Sequence, residues 1–247
     1  MNQEERKIVL LGKTGVGKSA TGNTILDRND AFRSERSLDS VTEHSECKEA
    51  VIGGKLIRVI DTPGLFDTKE PQDKIAMQLG RSVYLSQPGV HAFILVFKFD
   101  RFTQQEVEII KSLQKVFGKN IISHMIILFT DAEGFGEEEI NRNTNKHLRR
   151  VLAQCGGRFH IFNNKDPQNR QQVTELLQKI NRMVQQNEGR FYTNEMYEEA
   201  QGSTWEKFRE KHKEFFLFAA SVLAVVVTLP VTVFERFVAL IMELFRR

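Results

Sequence analysis

Eight consecutive residues carry the clearest chemistry in the chain: Gly12, Lys13, Thr14, Gly15, Val16, Gly17, Lys18 and Ser19. Their order fits a phosphate-binding loop of the form G-x-x-x-x-G-K-[ST]. The glycines let backbone N–H groups turn inward around phosphate oxygens. Lys18 supplies a point charge for the β- and γ-phosphates and Ser19 a hydroxyl for Mg²⁺. The helix expected to start here, with Ala20 in its first turn, adds partial positive charge. A second element, Asp61-Thr-Pro-Gly64, stands further along the chain. Asp61 can hold Mg²⁺ through water, while the Gly64 N–H can contact a γ-phosphate and sense its loss. The pair describes a nucleoside-triphosphate switch better than a small-molecule kinase. The polar stretch 34–42 between them should hold a first switch loop, with Thr42 as the candidate for Mg²⁺ and γ-phosphate and Ser40 as its rival.

These residues need a frame that presents them together. The apolar run Ile8-Val-Leu-Leu within 6–11 reads as a buried strand, and 17–26 as a helix. Residues 44–52 and 55–60 read as two strands joined by Gly53-Gly54, a pair suited to a hairpin turn with positive φ at both positions. Residues 90–97, 123–129 and 158–162 read as further strands. Two amphipathic helices are expected. Val107, Ile110, Leu113, Val116 and Phe117 share one face of 104–117, and Val173, Leu176, Leu177, Ile180 and Val184 one stripe of 171–186. Thr103 and Glu106 form a capping box at the start of the first. Strands alternating with helices predict an α/β fold of the P-loop NTPase type. Its sheet should be mostly parallel, with helices on both faces.

Composition narrows the class. A chain of 247 residues suffices for one α/β domain and an appendage. The net charge of +3 comes without a dense basic stripe interleaved with aromatics, which argues against nucleic acid. The two cysteines, Cys47 and Cys155, read as reduced cytosolic thiols, and the polar N-terminus is no signal peptide. His91, His124, His147 and His160 have no partner at metal-ligand spacing and read as structural.

Several segments together resemble the AIG1-type GTPases, the GTPases of immunity-associated proteins, which are related to septins and chloroplast import GTPases. They are Gly-Lys-Thr-Gly-Val-Gly-Lys-Ser-Ala-Thr-Gly-Asn-Thr-Ile-Leu (12–26), Ser-Val-Thr (40–42), Asp-Thr-Pro-Gly-Leu-Phe-Asp (61–67) and Phe-Asn-Asn-Lys (162–165). The stretch from Gly89 through Arg101-Phe-Thr-Gln-Gln-Glu resembles that family's own box, and Tyr192-Thr-Asn-Glu-Met-Tyr the end of its G domain. The resemblance implies a G domain over 6–200 with GTP/GDP and Mg²⁺ as cofactors. It also implies slow hydrolysis and a GTP-dependent homodimer, or assembly with related members. It places Asn163 or Asn164 beside the base and Ser34 near the sugar–phosphate side.

The chain departs from the family where guanine is read. The segment there is Thr130-Asp-Ala-Glu-Gly134, with Ala132 at the lysine position and Gly134 most in register with the base-reading aspartate. Glu133 could substitute, and Asp131 less directly. Leu65 stands where many regulatory GTPases carry a catalytic glutamine, so slow turnover or a group supplied in trans is expected. Arg101, on the loop before the capping box, is the candidate arginine finger across a dimer interface.

The C-terminal part completes the expected organisation. Residues 201–213 read as a polar and basic linker helix, and 214–235 as a transmembrane helix, since 215–234 holds no charged residue. Twenty helical residues span about 30 Å, the thickness of a bilayer core. Residues 236–247 read as a short amphipathic tail. Lys and Arg are concentrated before the apolar run, which predicts a single-pass tail anchor in an intracellular membrane with the G domain in the cytosol. The alternatives are a C-terminal helix packed on the G domain and a helical hairpin turning at Pro230.

Overall fold

A computed structural model describes residues 4–34, 45–64, 72–100, 102–132, 134–143 and 145–200. The candidate residues Ser40, Thr42, Leu65, Arg101 and Glu133, and the whole C-terminal segment with its candidate span, lie outside the described residues. Among the described residues, no helix is long and apolar enough to cross a membrane.

The frame is a six-stranded sheet built on β1 (Glu5–Leu11), whose residues Ile8 to Leu11 are wholly buried. Such a continuous apolar run suits a strand covered on both faces. On one side β1 pairs in parallel with β3 (Lys55–Asp61). On the other it pairs in parallel with β5 (Ala92–Lys98), followed by β6 (Met125–Thr130) and β7 (Phe159–Ile161), also parallel. β2 (Glu46–Ile52) lies outermost and antiparallel to β3, through the turn at Gly53 and Gly54, with φ of 56° and 79°. The order is therefore β2-β3-β1-β5-β6-β7, mostly parallel as expected. The chain reverses its direction of growth at β1, and such a switch point places a crevice at the carboxyl ends of the strands.

Strand alternation divides the core into two layers. Ile8, Leu10, Ile57, Val59, Ile94, Val96, Ile126 and Leu128 meet α1 (Lys18–Leu26) and α3 (Arg170–Gln186) through Ile25, Leu26, Val173, Leu176, Ile180, Met183 and Val184. On the opposite face Phe93 packs on Phe117, the last residue of α2 (Gln104–Phe117), at 5.1 Å between ring centroids. The capping box is formed as read: Thr103 Oγ1 accepts from the Gln105 N–H, and Glu106 accepts from the Thr103 N–H at 2.9 Å.

The strand read over 90–97 is divided. β4 (Gly89–Val90) pairs antiparallel with β8 (Tyr192–Thr193) in a separate ribbon, and the main sheet resumes at Ala92. His91 is the cause. Its Nδ1 accepts from the Lys7 N–H at 3.0 Å, so a ring replaces a backbone carbonyl in the ladder. The strand read from 123 starts at Met125 because Lys119–His124 coils as a 3₁₀ turn. Helices at Gln72–Leu85, Glu137–Asn143 and Lys146–Gln154 complete the described elements, with a last helical stretch at 194–200.

Three histidines serve the interior. Burial pulls His91 and His124 down to about 4 and lowers His160, so each stays neutral at neutral pH. His160 Nε2 lies 2.9 Å from the Gln172 carbonyl, and His124 Nδ1 3.3 Å from Asn187. Cys47 and Cys155 are both free thiols, and burial pushes Cys155 up to about 12.

Arg170, first residue of α3, closes the end of α1. It donates to the carbonyls of Thr24 at 2.5 Å and Ile25 at 3.0 Å, and stands 3.4 Å from Asp27 Oδ1. A cation at a helix C-terminus is favourable and satisfies carbonyls that have no intrahelical partner. Arg170→Ala should therefore cost about 2 kcal/mol of unfolding free energy, read by urea denaturation. An unchanged midpoint would show that water replaces these bonds without loss.

Candidate functional site

The site is built where β1, β3 and β6 end. Parallel pairing sets Leu10 opposite Asp61, so the carboxylate at the tip of β3 stands beside the turn that leaves β1. Thr62 locks this arrangement, its buried hydroxyl donating to the Leu10 carbonyl at 2.7 Å. From the other side Thr130, at the end of β6, donates to the Val16 carbonyl at 2.8 Å. The loop from Gly12 to Gly17 is thus gripped at its root and near its end, while Gly15 is exposed at its tip.

Gly17 turns the loop into α1 with φ 94° and ψ 22°, a left-handed conformation that costs a side-chain-bearing residue energy. It also brings no side chain to cap the helix, so the first-turn N–H groups face the loop. Lys18 follows, 6% exposed, with its ammonium donating to the Lys13 carbonyl at 2.8 Å. Ser19 Oγ donates to Asp61 Oδ2 at 2.6 Å, and Asp61 is 1% exposed. A cation, a hydroxyl and a buried carboxylate therefore converge on one loop. Ala20 lies in the first turn of α1 and passes its carbonyl to the Thr24 hydroxyl.

Gly64 meets the loop directly. A Cβ added there would fall 1.8 Å from Thr14 Oγ1 and 2.8 Å from Thr14 Cα, so only glycine permits this approach. Thr14 and Gly64, fifty residues apart in sequence, thus bring the phosphate loop and the segment after β3 into contact.

The two asparagines separate. Asn164 turns to the loop, donating to Thr21 Oγ1 at 3.1 Å and accepting from Thr24 Oγ1 at 3.1 Å, with its amide 3.4 Å from the Gly17 carbonyl. Asn163 instead accepts from the Lys165 N–H at 2.9 Å in a local turn, while Gln172 binds its backbone at both N–H and carbonyl. Only Asn164 is joined to α1 in this way. Ser34 is exposed at the end of the segment that Asn23 anchors through the N–H and carbonyl of Phe32.

The segment after β6 takes an unusual course. Asp131 is left-handed, with φ 55°, and its carboxylate lies 3.4 Å from Lys98 Nζ. Ala132 is buried, 4% exposed, its carbonyl accepting from the Phe135 N–H. Gly134 is again left-handed. Phe135 is exposed and packs against Phe99 at 4.9 Å.

Thr62, Thr130, Thr21 and Lys98 are participants that motif reading did not single out. Threonines at strand ends carry no spacing signal of their own, and only the register reveals them. Among the described residues no three His, Cys, Asp or Glu gather as a metal site. Ser19 and Asp61 are instead hard oxygen donors of the kind that hold Mg²⁺ together with water and phosphate.

A family model described as the AIG1 family matches residues 6–212. Immune-associated nucleotide-binding protein 9 of Arabidopsis thaliana is 37% identical over 220 residues, covering 85% of this chain and 64% of the relative. The chain thus spans less than two-thirds of that relative's length. Among solved structures, Toc33 from Arabidopsis thaliana in complex with GDP and Mg²⁺ shares the fold, with a TM-score of 0.59 at 18% identity over 74% of this chain and 85% of that one. A further structure, from work on dimerization in the GTPase activity of the chloroplast translocon components atToc33 and psToc159, gives a TM-score of 0.55 at 16% identity, covering 74% and 84%. The fold is that of a P-loop GTPase G domain, and the chain belongs to the AIG1 family.

Proposed function

We propose that this chain is a guanine-nucleotide switch. It binds GTP or GDP with Mg²⁺, hydrolyses GTP slowly and self-associates when loaded. Its C-terminal segment tethers it to an intracellular membrane, with the G domain facing the cytosol. The observation that carries the nucleotide reading is the convergence of Lys18, Ser19 and Asp61 on one glycine loop, with Ser19 Oγ and Asp61 Oδ2 2.6 Å apart. Residues 12–17 would wrap the phosphates, and Lys18 would neutralise the β- and γ-oxygens. Ser19 and Asp61, with Thr42, would hold Mg²⁺, which when bound supplies charge neutralisation to the leaving phosphate. Gly64, against Thr14, would report the γ-phosphate to the segment that follows it.

Support for the remaining parts is of three kinds. For the neighbours atToc33 and psToc159, dimerization is described as important for GTPase activity, which fits a trans contribution here from Arg101. Leu65 offers no group to orient water, which fits slow turnover. The uncharged run 215–234 with basic residues before it supports the membrane tether.

A second reading is a nucleotide-stabilised membrane scaffold without effective hydrolysis, or with relaxed base specificity. The base side favours it. Ala132 is buried and has no stem to lay over a base, and Asp131 faces Lys98. Losing one charge-assisted bond to guanine would cost about 1.5–3 kcal/mol.

Three outcomes are expected of the full chain in detergent. Titration with fluorescent nucleotides should give tighter binding of GTP than of ATP in Mg²⁺, and Lys18→Ala should weaken GTP binding about 10- to 100-fold. Equal affinity for ATP would overturn the guanine assignment. GTP turnover per molecule should rise with protein concentration, and Arg101→Ala should remove the rise; a flat profile sinks the trans finger. Expressed in cells, the full chain should stay in the membrane pellet after alkaline carbonate extraction, whereas a chain ending at Gln201 should be released. Extraction of the full chain would rule out a span.

A further inference from the structure

The phosphate loop is bonded to an element that the nucleotide reading does not use. Lys13 sends its ammonium away from Lys18 to the N-terminus of α2, reaching Glu106 Oε1 at 2.9 Å and Gln105 Oε1 at 3.4 Å. Glu106 spends its other oxygen on Thr103, accepting from the backbone N–H at 2.9 Å and the hydroxyl at 2.7 Å. One carboxylate therefore closes the helix cap and holds the loop. The two side chains are 24% and 15% exposed, so their pairing is less screened than a surface ion pair. Burial would raise the Glu106 carboxyl, but the bonds from Thr103 and Lys13 outweigh it and hold the group below the usual carboxylate range.

The connection continues inward. The carbonyl of the same Lys13 accepts from the Lys18 ammonium at 2.8 Å. Fixing the Lys13 side chain thus restrains the peptide that anchors the buried cation. The line runs from Thr103 through Glu106 and Lys13 to Lys18, across 93 residues between its two central members. Glu106 reads as a capping-box residue from sequence, and a cap alone needs no lysine partner.

We propose that Glu106 is a positioning residue of the phosphate grip, acting through Lys13 to set where the Lys18 ammonium stands and coupling the loop to the N-terminus of α2. The inference rests on the nucleotide reading above. It makes nucleotide retention depend on the start of α2, the stretch that directly follows Arg101 in sequence. A partner that disturbs this cap would loosen the nucleotide without touching it.

The test uses the full chain and fluorescent GDP, following dissociation after excess unlabelled GDP at low and high salt. Glu106→Gln keeps an oxygen for Thr103 but removes the charge that holds Lys13. It should speed GDP release about fivefold at low salt, with a smaller difference at high salt. Lys13→Gln should have a similar effect, and the double variant should release no faster than either single, because both break one link. Wild-type release from Glu106→Gln, or fully additive effects in the double variant, would overturn the proposal. Failure of the wild-type chain to bind GDP at all is a different result, one that overturns the nucleotide reading itself.

Discussion

The parallel register of β1 on β3 is the constraint on which the rest of the site depends. It sets Leu10 opposite Asp61, and through that pairing a carboxylate reaches the mouth of the glycine loop. Both strands are apolar along their buried lengths, so a slip of one residue would turn side chains from one helical layer into the other. The register is therefore held by the whole core rather than by the site. Thr62 and Thr130 then fasten the loop from either side, using hydroxyls that would be costly to bury without partners. The loop is placed by hydrophobic packing and locked by hydrogen bonds.

The residues proposed for phosphate and those proposed for the base differ in how firmly the frame holds them. At the phosphate end, Lys18, Ser19 and Asp61 are buried or half-buried and bonded to the frame. Of those proposed for the base, Asn164 is bonded to α1 through two threonines, while Asp131 and Ala132 follow the end of β6. Under the proposed reading, a buried methyl in place of a long stem would offer a base less contact. The left-handed turn at Asp131 sends its carboxylate toward Lys98. Under the proposed reading, phosphate binding and base discrimination would rest on separate physical supports, and one could weaken without the other.

Much of the framework is legible from side-chain patterns. Strands β1, β3 and β6 follow from continuous apolar runs, the hairpin from Gly53-Gly54, and α2 and α3 from their stripes. The helix at Lys146–Gln154 carries its own signal, with Leu148, Val151 and Leu152 buried at helical spacing among charged neighbours. The division at His91 is different in kind. Within 90–97 a histidine next to a run of apolar residues looks like strand, and only its bond to the Lys7 N–H breaks the ladder.

The sequence by itself determined the candidates for chemistry at the loop: which residues are of the type to grip phosphate, which carboxylate follows, and that the expected lysine and glutamine are replaced by Ala132 and Leu65. These are matters of residue type at fixed spacing, and local backbone geometry translates spacing directly into function. The tertiary structure alone decided which of two adjacent asparagines meets the loop, which threonines fasten it, and that Glu106 reaches Lys13. Each of those depends on residues far apart in the chain meeting at the edge of one sheet. No local pattern encodes such meetings, because they are fixed by strand order and register, and these are properties of the whole core.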